Sequence, residues 1–198
     1  MRLQRPKSGI IQTMPYEVMV NNAALVAGLT CAKKPPDEGG ESFIRSRIKD
    51  GNDRPLDHLS ISCYLEIDSG TAQLVLDTDF TQAIEAATDL CLVDGHISFV
   101  IPDHLDIEEG VYTPKIMPVG IDSEELGFVK DLLNQEESIK SNQMIKLNGS
   151  ILTRVVATAT LREWRFLMRF YGNYVPNVTQ PLLRLFKEEY PVFFEDIN

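Results

Sequence analysis

Apolar and polar residues alternate strictly between residues 58 and 67. Leu59, Ile61, Cys63, Leu65 and Ile67 fall on one face, and Ser60, Ser62, Tyr64 and Glu66 on the other. A period of two sends successive side chains to opposite sides of an extended chain, so this segment predicts a half-buried β-strand. A shorter strand is expected over 96–101, where His-Ile-Ser-Phe-Val-Ile stops at Pro102, and a third over the β-branched stretch 151–157.

Helical spacing dominates elsewhere. Asn21 and Asn22 can cap a short helix through Ala23, Leu25, Val26 and Leu29, and residues 42–49 predict another that ends at Gly51. The stretch 71–90 reads as helical with acids interrupting it. Between 123 and 146, Leu126, Phe128, Val129, Leu132 and Leu133 recur among dense polar residues, the pattern of a solvent-facing amphipathic helix. Thr160-Leu-Arg-Glu163 matches a capping box, which opens a helix whose buried side is Leu161, Trp164, Leu167 and Met168. A last helix is expected from about Pro181 until Tyr190-Pro191 breaks it. Pro and Gly pairs mark 33–42 as a loop. Helices with a few strands, in no regular βαβ order, give an α+β class. The length of 198 residues fits one domain spanning 1–198.

Charge changes this picture. The chain carries 29 acidic and 19 basic side chains, net −10, and all the bases lie outside residues 55–114. That segment holds twelve acids and all three histidines, whereas 151–198 has six bases against five acids. Such a surface repels phosphate backbones and anionic lipid, so neither a nucleic acid nor a membrane is expected as a partner. Any anion site must draw on the two ends of the chain. With no signal-peptide core and no apolar run of membrane length, a cytoplasmic location is expected. Cys31, Cys63 and Cys91 form no C-x-x-C pair, and reduced, buried thiols are the expected state.

Glycine-rich phosphate loops, metalloprotease helices and nucleophile elbows are all missing from the sequence. Asp94, His96, Asp103 and His104 are the nearest approach to a metal set, but they lack a recognisable ligand spacing, and no metal site is assigned. Arg162, Arg165 and Arg169, spaced three and four apart, share one helix face. Guanidinium forks match phosphate oxygens, although a solvated face pairing with the surplus acids is the plainer reading.

Two longer segments resemble the flavin-dependent thymidylate synthases. Gly51-Asn-Asp-Arg-Pro-Leu-Asp-His58, leading into the alternating strand, is similar to that family's Gly-His-Glu-Ser/Thr-Pro-x-Glu-His segment. Leu147 to Arg162 matches a family segment of the form Leu-Pro-x-x-x-x-Thr-x-x-x-x-Thr-x-Asn-x-Arg at Leu147, Thr153, Thr158 and Arg162. The closing Pro191-Val-Phe-Phe-Glu is also similar, and the resemblance spans about residues 16–196.

The resemblance implies the family's α+β fold, with helices around a small antiparallel sheet, assembled as a homotetramer. It also implies methylation of dUMP to dTMP with FAD, NADPH and methylenetetrahydrofolate. Carried over position by position, Arg54, His58, Thr160 and Arg162 become flavin contacts, and Arg165 and Tyr171 substrate contacts. Departures accompany these matches. Asn52 replaces a His, Thr160 an Asn, and Met144 and Tyr171 each an Arg. The family's Arg-His-Arg and Ser-x-Arg-Tyr signature falls on Leu76-Asp77-Thr78 and Ala86-Ala-Thr-Asp89. Altered or weakened activity is therefore expected. The alternatives are a non-catalytic oligomeric scaffold for a protein partner, and an acid-lined binder of a metal or polyamine held by Asp77, Asp79 and Asp89.

Overall fold

In the computed structural model, residues 1–30, 40–76, 83–86, 92–141, 149–172 and 176–197 are described. They form eight strands and seven α-helices. The strands are β1 (Arg2–Gln4), β2 (Lys7–Gln12), β3 (Ser60–Asp68), β4 (Ala83–Ala86), β5 (Leu92–Val93), β6 (His96–Val100), β7 (Gly110–Val111) and β8 (Leu152–Thr160). The helices are α1 (Tyr16–Thr30), α2 (Gly40–Lys49), α3 (Ser69–Leu76), α4 (Ser123–Lys140), α5 (Leu161–Tyr171), α6 (Pro176–Glu189) and α7 (Pro191–Phe194), and a 3-10 helix covers Arg54–His58. The class is α+β, as the patterning predicts. No helix among the described residues is long and apolar enough to cross a membrane.

The chain divides into two units. One comprises Met1–Lys7, Leu65–Asp77 and Ala86–Val155, and the other Ser8–Tyr64, Thr78–Glu85 and Val156–Asn198. Strands β3 and β8 contribute residues to both. They are central in a sheet of order β2-β3-β8-β4, and a second sheet has the order β5-β6-β1-β7.

In the first unit the second sheet carries the core. Leu3, Ile97, Phe99, Ile101, Leu105, Ile107 and Ile151 pack with Val129 and Leu132 of α4. Asp122 caps α4 by accepting from the amides of Glu124 and Glu125, and Glu125 returns a bond to the Asp122 amide. Glu136 of the same helix is nearly buried. It accepts from the Ile97 amide at 3.1 Å, from Lys140 at 3.0 Å and from the Met1 amino group at 2.5 Å. Strand β1 runs parallel to β6 and antiparallel to β7, so the pairing is mixed rather than antiparallel throughout.

In the second unit Trp164, on the buried face of α5, donates its indole N–H to the Ile61 carbonyl at 3.0 Å and lies 5.6 Å from the Phe186 ring. Phe186 in turn stacks on Phe194 at 4.6 Å. These rings fix α5 and α6 by burial of large apolar area. Cys63, on the inward face of β3, is fully buried, and burial pushes its thiol up to about 12, which leaves an inert apolar side chain.

Some boundaries differ from those the sequence predicts. Helix α1 begins at Tyr16, so Asn21 and Asn22 lie inside it and cap nothing. Within the stretch 71–90 read as helical, α3 runs to Leu76 and Ala83–Ala86 is strand β4, while 77–82 and 87–90 lie outside the described residues. Pro181 lies within α6, and Pro176, whose missing N–H costs nothing in a first turn, opens it.

Candidate functional site

The site is built in the second unit by the turn that follows α2. The Asn52 amide donates to the Arg47 carbonyl at 2.9 Å and the Gly51 amide to the Ile48 carbonyl at 3.0 Å, which together form a Schellman end. Gly51 has φ +73, a conformation that a side chain would strain. The chain then turns into Arg54–His58, with Pro55 in the first turn and both Pro55 and Leu56 buried as its anchor. Leu59 leads into β3, and its carbonyl accepts from the Leu161 amide at 2.8 Å, which ties the strand to the start of α5.

At that start the capping box forms as the sequence predicts. The Thr160 hydroxyl accepts from the Glu163 amide at 3.1 Å, and the Glu163 carboxylate accepts from the Thr160 amide at 2.6 Å. Arg162 follows in the first turn. Its Nε lies 3.1 Å from Asp53 and its Nη1 3.1 Å from Asp57. Carboxylates near a helix N-terminus are favoured by its dipole, so both aspartates suit this place even without the arginine.

Beside this pair lies a cavity of 380 Å³ lined by Val26, Thr30, Asn52, Arg54, Pro55, Asp57 and His58. Arg54 and His58 are both exposed, and Arg54 makes no hydrogen bond or ion pair among the described residues. The arrangement offers one uncommitted guanidinium, an imidazole and an amide around a partly apolar wall. It can hold a ring with an anionic or carbonyl edge.

The structure thus brings together Arg54, His58 and, through Asp57, Arg162. The other proposed contacts lie elsewhere. Thr160 is 4% exposed, with its hydroxyl engaged in the helix cap. Arg165 is 1% exposed and directs both terminal nitrogens to Asp196, at 2.8 and 2.9 Å. Arg169 also bonds Asp196. The arginine face therefore pairs with acids, the plainer of its two sequence readings. Tyr171 ends α5, but its side chain lies outside the described residues, as do Met144, Asp77, Asp79 and Asp89.

Asp53 and Asp57 were not anticipated from sequence. Their signal was their alternation with Arg54 ahead of His58, but nothing local links them to an arginine more than a hundred residues later. Asp94 of the weighed metal set lies 3.9 Å from Arg2, and His96 lies 3.9 Å from Glu136. Among the described residues no three metal-ligating side chains are gathered.

No family model matches the chain, and no curated protein matches it in sequence. Solved structures do match. The crystal structure of a UMP/dUMP methylase, PolB from Streptomyces cacaoi, bound with 5-Br dUMP, has a TM-score of 0.71 at 13% identity, covering 98% of this chain and 96% of that one. The same methylase bound with 5-Br UMP gives 0.65 at 13% identity, over 98% and 94%. The chain has the fold of this methylase. A thymidylate synthase-like fold is thereby shown, with sequence so far diverged that only one residue in about eight is shared. Arg162, more than a hundred residues beyond Arg54 and His58, is joined to their cavity through Asp57.

Proposed function

We propose that the protein is a divergent, thymidylate synthase-like methylase acting on a uracil nucleotide, dUMP or UMP, in the cytoplasm. The observation that carries this reading is the end-to-end likeness of fold to a methylase bound with 5-bromo analogues of those nucleotides. The resemblance to the flavin-dependent family adds FAD, NADPH and methylenetetrahydrofolate as co-reactants.

The cavity residues fit part of a flavin. Its 380 Å³ is near the lower end of the ~300–1,000 Å³ typical of ligand pockets, room for one ring system and not for a whole dinucleotide. Arg54, His58 and Asn52 would hold a flavin ring edge or an adjoining phosphate, against the apolar wall of Val26 and Pro55. FAD, when bound, supplies the reducing equivalents that turn a transferred methylene into a methyl group. Arg162 is poorly suited to phosphate, because Asp53 and Asp57 already occupy its donors and neutralise it. The anion-contacting role passes to Arg54.

Self-association, as a homotetramer, belongs to the same reading. Phe166 and Phe170 lie on α5 with ring centroids 4.4 Å apart and planes tilted by 35° while remaining 45% and 60% exposed, an apolar patch suited to a second copy. Sedimentation as a monomer at micromolar concentration would remove this part of the proposal.

The decisive assay is formation of the 5-methyl nucleotide from dUMP or UMP with the three co-reactants. Product is expected, and Arg54→Gln is expected to lower kcat/KM by roughly tenfold or more, the value of one charge-assisted contact. No product from either nucleotide would overturn the catalytic reading. The double-acid hold on Arg162 favours one alternative, a non-catalytic relative that keeps the scaffold, and that outcome would select it.

A further inference from the structure

A second cavity in the same unit, of 570 Å³, is lined by Arg45, Ile48, Lys49, Gly51, Arg169, Val192, Glu195 and Asp196. It lies across the turn from the first: Gly51 faces this cavity and Asn52 the other. Arg169 is also seven residues, about 10 Å along α5, beyond Arg162.

The charges here do not balance. Arg45 is matched, with Glu195 at 2.5 Å and the Glu41 carboxylate also acting on it. Asp196, however, serves two guanidiniums. Arg165, whose side chain is 2% exposed, takes it in a bidentate grip, and Arg169 bonds the same carboxylate. Among the described residues that trio holds two positive charges and one negative, and its exposed member, Arg169, lines the cavity. Lys49 adds a further cation, since its ammonium makes no hydrogen bond or ion pair among the described residues. Among the described residues Arg45, Lys49, Arg165 and Arg169 face Glu41, Glu195 and Asp196, an excess of one cation that stands out in a chain of net charge −10. A concave, partly apolar wall focuses the field of the cations, and like charges held together gain from a shared counter-ion.

We propose that this cleft binds a phosphate-type oxyanion between Lys49 and Arg169, with Ile48 and Val192 shielding it from water. Arg169 keeps Nε and Nη1 for an oxyanion oxygen while its Nη2 bonds Asp196, and Lys49 supplies a mobile point charge, a division of labour suited to a tetrahedral dianion. Arg165 does not touch the anion. It shares Asp196 with Arg169, so that one carboxylate answers two guanidiniums. This site is separate from the methylase reading and does not depend on it.

The test is calorimetric titration of the full chain at low salt with pyrophosphate, inorganic phosphate and methyl phosphate. Wild type is expected to show saturable one-site binding that weakens as salt is added. Lys49→Gln and Arg169→Gln should each weaken it by roughly tenfold or more, while Lys130→Gln, the same charge change on exposed α4, should leave it unaltered. In the Arg169 variant Asp196 keeps Arg165 as partner, so folding is retained, and circular dichroism checks this. Equal affinity for methyl phosphate assigns the cleft to the terminal phosphate of an ester, and preference for inorganic phosphate assigns it to the free ion. Absence of saturable heat with wild type at millimolar pyrophosphate, or equal weakening by Lys130→Gln, would overturn the proposal.

Discussion

Arg165, buried in the middle of α5, is bound face to face by Asp196, with its two terminal nitrogens 2.8 and 2.9 Å from the two carboxylate oxygens. The same guanidinium donates to the Phe193 carbonyl. A charge so enclosed is tolerable only with its partner. Asp196→Asn should therefore destabilise the protein by about 2–3 kcal/mol, at the low end for a broken buried pair because the carboxylate edge is partly wet. Urea denaturation reads this as a lower midpoint at unchanged slope, and a midpoint equal to wild type would show the pair to be dispensable.

Acid should act on the same contact. Burial alone would raise the Asp196 carboxyl, but hydrogen bonds and charge from Arg165, with the charge of Arg169, hold it below its ordinary value. Glu136 is similar: burial opposes ionisation, and bonds from the Met1 amino group, Lys140 and the Ile97 amide outweigh it. A carboxyl depressed in the folded state adds stability that is complete above its unfolded value, near 4, and is lost as pH falls through the lower folded value. Stability is expected to hold from neutrality to about pH 5 and then decline. The decline should be shallower in Asp196→Asn, and identical slopes in the two proteins would contradict this assignment.

Thr160 was a flavin contact by resemblance, yet its hydroxyl caps α5 and is buried. Thr160→Ala should cost roughly 1 kcal/mol, the usual loss for an N-cap, with Thr160→Ser close to wild type. Chemical denaturation of the three proteins checks the order. A Ser variant as weak as Ala would show that the methyl group and not the hydroxyl matters.

Where structure is specified by neighbouring residues, the sequence is readable. The alternation in β3 survives as a strictly alternating burial pattern, and the Thr160 and Glu163 box forms because its donors and acceptors are three residues apart. Strands β1 and β7 are three and two residues long, too short for a period to register, and they exist because β6 offers β1 a partner about a hundred residues away. The site divides the same way. Arg54 and His58 share one short helix and could be named together. The hold of Asp53 and Asp57 on Arg162, and of Asp196 on Arg165, depends on tertiary approach that no local pattern encodes. Thus three arginines that look alike along the helix have different environments. One is paired beside a cavity, one is buried, and one shares the buried arginine's partner, Asp196.

The proposed site puts a flavin ring edge at the cavity of Arg54 and His58. It is tested most directly by loading purified protein with FAD, removing free cofactor by gel filtration, and recording the visible absorbance of the protein peak with and without dUMP. The account predicts retained yellow flavin whose spectrum shifts on adding dUMP, and loss of most of that flavin in Arg54→Gln and His58→Ala variants that remain folded. A colourless wild-type protein peak, or flavin retained equally by both variants, would contradict it.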